Sequence, residues 1–108
     1  MQPDMQPTID RIQSLYREWL DLQAKLEAAQ KDWQRSRDIM HELEQFYFEG
    51  EYQDFYARIE NGETVDLKTQ GEYSVMSEDA LWNAFHDFTD LAWERLRTGI
   101  AVLDPKKA

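Results

Sequence analysis

Residues 8–49 read TIDRIQSLYREWLDLQAKLEAAQKDWQRSRDIMHELEQFYFE, a stretch of 42 residues without glycine or proline. Because Gly and Pro cost roughly 1 and 3 kcal/mol in a helix interior, their absence over such a length predicts helix. Apolar side chains recur through it on a seven-residue beat. Ile12, Trp19, Leu26, Trp33, Met40 and Tyr47 fall at one core position, and Leu15, Leu22, Ala29, Ser36 and Leu43 at the other. A 3.5-residue period held for five heptads is the signature of helices that pack side by side in coiled-coil fashion. Trp33 between the small Ala29 and Ser36 suits antiparallel layers, since a parallel dimer would stack Trp on Trp.

Two arrangements fit this stretch. One is a single helix of about 63 Å at 1.5 Å per residue. The other is a hairpin that breaks in the polar residues 30–37, although no Gly, Pro or Asn marks a turn there, which favours one helix. Gly50 is a helix stop, as the residue that enters the left-handed conformation at least cost. A short central helix follows, with Tyr52, Phe55, Tyr56 and Ile59 at i, i+3, i+4 and i+7, closed by Asn61-Gly62. Residues 63–76 read as a loop pinned by Val65, Leu67, Tyr73 and Val75. Ser77 is the expected N-cap of the last helix, with Glu78 and Asp79 in its first turn, where the helix dipole stabilises carboxylates. Leu81, Phe85, Phe88, Leu91, Ala92 and Leu96 form its apolar face, flanked by Trp82 and Trp93. Arg95 and Arg97 are placed in its last turns, Gly99 weakens or ends it unless Ile100, Val102 and Leu103 prolong it to Asp104-Pro105, and the Lys106-Lys107-Ala108 tail is expected to fray.

The expected fold is therefore all-α: a long N-terminal helix or helical hairpin, a short central helix and a C-terminal helix, forming an antiparallel coiled-coil-like bundle. The 108 residues fit a single helical domain over 1–108, with an ordered core about 8–103. A rod of that length outreaches the other helices and leaves heptads uncovered, so a homodimer is expected.

The aromatic knot Phe46-Tyr47-Phe48-Glu49-Gly50-Glu51-Tyr52, the later Asp66-Leu67-Lys68 and the string Val75-Met76-Ser77-Glu78-Asp79-Ala80-Leu81-Trp82 carry a resemblance. Following a long N-terminal helix, they resemble the short bacterial proteins of domain-of-unknown-function family 4298, over roughly residues 9–98. The family pattern ends its first helix in a Tyr-Tyr pair, passes through a Gly and a Trp-containing segment, and opens its last helix with Ser-Glu-Asp-Ala. Tyr52 stands where the family tends to have Trp, and Thr69-Gln70-Gly71-Glu72-Tyr73-Ser74 replaces a shorter Arg-Gly link. The resemblance implies a fold and a bacterial origin, and no activity.

Charge is unevenly spread. Residues 1–37 hold six acids and six bases, 38–94 hold fifteen acids against Arg58 and Lys68, and 95–108 hold one acid and four bases, which sum to the net −10. The plainest reading of the acidic middle is a solvated, solubilising surface. The sharper one is a field that repels nucleic acid and attracts basic partners. No cysteine is present, which excludes disulfides, thiol nucleophiles and Cys-based metal sites. The start Met1-Gln2-Pro3-Asp4-Met5-Gln6-Pro7 lacks the pattern of a signal peptide, and no apolar run approaches the roughly 20 residues that span a bilayer, so a cytoplasmic protein without membrane contact is expected.

Chemistry-bearing motifs are weak. His86 and Asp90 share a helix face with Asp87 beside them, but two ligands do not hold a metal, and His41-Glu42 lacks the second His of the zinc-protease motif, which falls at Gln45. No phosphate loop, nucleophile elbow or calcium loop occurs. The expectation is no catalytic, cofactor or metal residues and no enzyme. Six of the eleven residues 46–56 are aromatic, and they cannot share one helical stripe. Most of this reads as core. The remainder gives candidate partner-binding residues Phe46, Phe48, Glu49, Glu51, Tyr52, Asp54 and Tyr56, an aromatic patch rimmed by acids that suits a basic, partly apolar protein partner. The expected function is a non-enzymatic interaction or adaptor module. The alternative is an immunity-type inhibitor or nucleic-acid mimic that blocks one basic enzyme, and a third possibility, an enzyme or small-ligand protein, requires an enclosed polar pocket.

Overall fold

The computed structural model of the chain describes residues 5–104 and 106. Among them the regular structure is three helices: α1 at Met5–Phe48, α2 at Glu51–Glu60 and α3 at Ala80–Leu103, with no strand. α1 is one unbroken helix of 44 residues, so the hairpin alternative is set aside. Helix-favouring residues across 30–37 let the hydrogen-bond ladder run through the polar stretch. It begins three residues before Thr8, with Pro7 in the first turn, where a missing N–H costs nothing because first-turn donors have no helical acceptor anyway.

The chain divides into two compact units, one ending at Ile39 and the other beginning at Met40. In the first, the heptad residues Ile12, Leu15, Trp19, Leu22 and Leu26 are all about half exposed. In the second, Met40, Leu43, Phe46 and Tyr47 of α1 are half-buried.

Gly50 ends α1 as the sequence indicates, with φ 106° and ψ −21°, a left-handed conformation in which a Cβ would be strained. Its carbonyl accepts from the Asp54 N–H at 3.0 Å, so the residue that stops α1 also starts α2. α2 carries Glu51 and Asp54 in its first turn and Arg58 in its last, the order the helix dipole favours. It closes at Asn61, whose N–H reaches the Ala57 carbonyl, and Gly62 follows with φ 94°.

The start of α3 corrects the sequence reading. Asp79, not Ser77, is the N-cap residue, and no side chain caps the helix. Ser77 is committed to the preceding turn: its N–H donates to the Ser74 carbonyl at 3.0 Å, and its own carbonyl lies 3.4 Å from the Tyr52 phenol. The Ser74 hydroxyl accepts from the Met76 N–H at 3.1 Å, tightening that turn. The chain enters the helix only at Ala80, with the Asn83 N–H on the Asp79 carbonyl, so Glu78 and Asp79 lie outside its first turn. At the other end α3 runs through Gly99 to Leu103, which leaves Arg95 and Arg97 short of the last turn. Fraying at Lys107 and Ala108 lies outside the described residues.

Leu81 is the one fully buried hydrophobic residue among those described, at 4% exposure. Ala84, Phe85, Phe88 and Ala92 continue its stripe as half-buried residues, whereas Leu91 and Leu96, expected on the same face, are exposed. The loop anchors divide likewise. Val65, Leu67 and Val75 line a recess, while Tyr73 is 86% exposed and anchors nothing.

Candidate functional site

The end of α1, α2 and the start of α3 meet through aromatic rings. Phe46 stands edge-on to Tyr52 with centroids 6.1 Å apart and tilts against Phe55 at 6.0 Å. Tyr47 lies 4.9 Å from Tyr52 and meets Phe85 edge-on at 5.6 Å, while Phe48 stacks on Phe85 at 5.6 Å. Three consecutive aromatics on a helix fan over a wide arc, and the sharp reversal at Gly50 brings α2 back under that fan. Such ring pairs contribute about 0.5–1.5 kcal/mol each beyond area burial. The knot therefore takes much of the place of a conventional core in this unit.

Two open recesses flank it. The first, about 410 Å³, is lined by apolar atoms of Phe46, Phe55, Ile59, Val65, Leu67, Val75 and Met76, with Arg58 and Glu63 as its charged members. Arg58 holds Glu63 through two parallel hydrogen bonds, Nη2 to Oε1 at 2.6 Å, and lies 3.8 Å from Asp54. Its carbon Cζ sits 5.5 Å from the Phe55 ring centroid. The hydrogen bond from Arg58 holds the Glu63 carboxyl below its ordinary range, so both stay charged and the arginine has a carboxylate partner within the chain.

The second recess, also about 410 Å³, is lined by Tyr47, Tyr52, Gln53, Tyr56 and Glu78. The Tyr52 and Tyr56 rings lie 6.2 Å apart, and the Tyr52 hydroxyl approaches the Met76 and Ser77 carbonyls at 3.5 and 3.4 Å. Burial first, then the neighbouring Tyr47, Tyr56, Glu78 and Asp79, pushes the Tyr52 phenol above its ordinary value. Burial opposes the charged phenolate directly, and the nearby Glu78 and Asp79 carboxylates add to this by repelling a further negative charge.

The seven candidate residues separate. Phe46 and Tyr52 are half-buried in the knot, Phe46 lining the first recess and Tyr52 the second. Tyr56 joins the second recess and is exposed, as is Phe48, which packs on Phe85 and lines neither recess. Glu49, Glu51 and Asp54 are exposed beside the knot. Glu78 as a wall of the tyrosine recess is not legible in the sequence, where it reads as a first-turn acid of the last helix. The sequence reading also missed the apolar recess, although its signal was present in the i, i+3, i+4, i+7 pattern of α2 and in the scattered valines and leucine after it. His86 packs against Trp82 with ring centroids 4.8 Å apart. Among the described residues no group of three metal-ligating side chains comes together, and no helix is long and apolar enough to cross a membrane.

A family described only as a domain of unknown function, DUF4298, matches this chain over residues 9–98. Neither a curated protein nor a solved structure matches it.

Proposed function

The chain belongs to the DUF4298 family, whose function is unknown, and from its site we propose a cytoplasmic protein–protein interaction module that takes a basic, partly apolar segment of a partner protein. The observation that carries this reading is the pairing of an apolar recess with a tyrosine- and glutamate-lined one inside the acid-rich residues 38–94. Phe46 and Tyr52, whose rings touch, connect the two, so a short extended segment advancing about 3.3 Å per residue reaches both. An aliphatic or aromatic side chain suits the first, and a Lys or Arg suits the second, where aromatic faces and Glu78 attract a cation. Glu49, Glu51 and Asp54 then act on the approach of the partner. Both recesses are open to solvent, as a surface that takes an extended segment of a partner needs to be.

The exposed heptads of α1 support a second element of the reading, that the helices are parts of an antiparallel, coiled-coil-like bundle completed by a second copy of the chain. A stripe of Ile, Leu and Trp left half exposed is apolar surface of the kind that marks an interface.

Capture of partners from the source cell tests the binding reading. Wild type is compared with Glu49→Lys, Glu51→Lys and Asp54→Lys combined. The captured protein is expected to be basic, to bind more weakly as salt shortens the screening length from about 8 Å to about 3 Å, and to associate more slowly with the triple variant. Affinity indifferent to both salt and charge reversal refutes the proposal, and leaves the negative field a role in solubility alone.

A further inference from the structure

The first unit of the chain holds a second pattern, laid over the apolar heptads. The residues that immediately precede the first core position of successive heptads are Arg11, Glu18, Lys25 and Asp32, which alternate in sign. The positions on the other flank of the stripe, Tyr16, Gln23 and Gln30, carry no charge. Among the described residues Arg11, Glu18, Lys25 and Asp32 form no ion pair within the chain. The stripe they border, with Ile12, Leu15, Trp19, Leu22 and Leu26, is half exposed.

Flanking charges select partner and orientation in packed helices. In a parallel pair Arg11, Glu18 and Lys25 face the uncharged Tyr16, Gln23 and Gln30 of the other helix, and only Asp32 finds a charge, at Arg37. In an antiparallel pair, like flanks face each other. One register then matches all four: Arg11 against Asp32 of a second copy, Glu18 against its Lys25, and the reciprocal pairs by two-fold symmetry. The same register sets Ile12 opposite the small Ala29, Leu15 opposite Leu26 and Trp19 opposite Leu22, so no tryptophan meets its own copy. Sliding the copies by one heptad is repulsive in either direction. One slip brings Arg11 against Lys25 and Glu18 against Glu18. The other brings Glu18 against Asp32 and Lys25 against Lys25. Residues 1–37 are net neutral, whereas residues 38–94 carry −13 and repel their own copy, which confines self-association to this end of α1.

We propose that the occupant of this face is a second copy of the chain, held antiparallel in the single register in which Arg11 pairs with Asp32 and Glu18 with Lys25 across a two-fold axis between Leu20 and Asp21. This rests on the self-association reading above and adds its direction and alignment.

The chain has no cysteine, so introduced thiols report geometry cleanly. Leu15→Cys and Leu26→Cys are prepared separately and oxidised alone and as a mixture. In the proposed register, like cysteines lie about 16 Å apart along the axis at 1.5 Å per residue, beyond the roughly 7 Å limit between Cα atoms for a disulfide, while unlike ones are level. Each variant alone is expected to stay uncrosslinked, and the mixture to give a covalent dimer containing one of each. Glu18→Lys is expected to weaken dimerisation roughly tenfold, since two pairs turn repulsive, and Lys25→Glu in the same chain to restore it. Crosslinking of either variant alone, or charge changes without rescue in a chain that still sediments as a dimer, overturns the register and leaves self-association standing. A wild-type chain that sediments as a monomer across a wide dilution series overturns both.

Discussion

Leu81→Ala is the most direct test of how the second unit holds together. Leu81 is 4% exposed and opens the half-buried stripe of α3, while the rest of that stripe keeps part of its surface in water. The substitution removes three carbon atoms, which at about 0.8 kcal/mol per buried methylene is about 2.4 kcal/mol of lost transfer energy. A cavity term adds to this, limited here because half-buried neighbours are free to collapse, so the expected cost is about 2.5–3.5 kcal/mol, inside the range of about 2–5 for buried leucines. Leu91→Ala is the internal control. At 54% exposure it forfeits roughly half the transfer term and leaves no closed cavity, and should cost about 1 kcal/mol. The assay is urea unfolding at fixed protein concentration, because self-association makes apparent stability depend on it. Near-ultraviolet circular dichroism follows the aromatic knot, and thermal melts should place the two variants at least about 6 °C apart. Equal midpoints for the two variants would refute the reasoning, showing that Leu81 anchors nothing and that the ring contacts alone hold the unit.

Ser77→Ala is expected to change stability by no more than about 0.5 kcal/mol, since Asp79 occupies the cap position and the turn holds Ser77 through its backbone groups; a loss of 1–2 kcal/mol in the same unfolding assay would restore the capping role. Tyr52 contributes stability that is fully present below its ordinary pKa of about 10 and is lost as pH rises through the higher folded value, because the unfolded phenol releases its proton first. Tyr52→Phe should therefore flatten the decline of stability in alkaline solution, as read by urea midpoints above pH 9, and an unchanged slope would show that Tyr52 is not the group responsible. If the tyrosine recess takes a cationic side chain, Glu78→Gln should weaken binding of the captured basic partner while leaving the unfolding midpoint nearly unchanged; equal affinity would remove Glu78 from the site.

How much of this was legible beforehand follows the range of the interactions. Local terms, the backbone propensities and a glycine at positive φ, make the helical character of the three segments, the stop at Gly50 and the close of α2 visible in the order of residues, while one helix or a hairpin over residues 8–49 stayed open. The heptad beat and the alternating Arg11, Glu18, Lys25 and Asp32 are equally local, since a helix turns its period directly into a face. By contrast, the start of α3 depended on a competitor for Ser77. A serine before two acids reads as a cap until a tyrosine 25 residues earlier and a turn at Ser74 claim its backbone groups. The division of the aromatics is of the same kind. Phe46 and Tyr52 turn inward and Phe48 and Tyr56 remain exposed because the reversal at Gly50 fixes which side of the fan α2 covers, an angle that no spacing rule contains. The two recesses, and Glu78 as a wall of one, exist only where segments distant in the chain converge. Composition and period determined by themselves that three helices form, while which residues of each face are covered, and the contents of the site, were decided by tertiary contacts, because burial and charge at a point are sums over neighbours that the linear order does not specify.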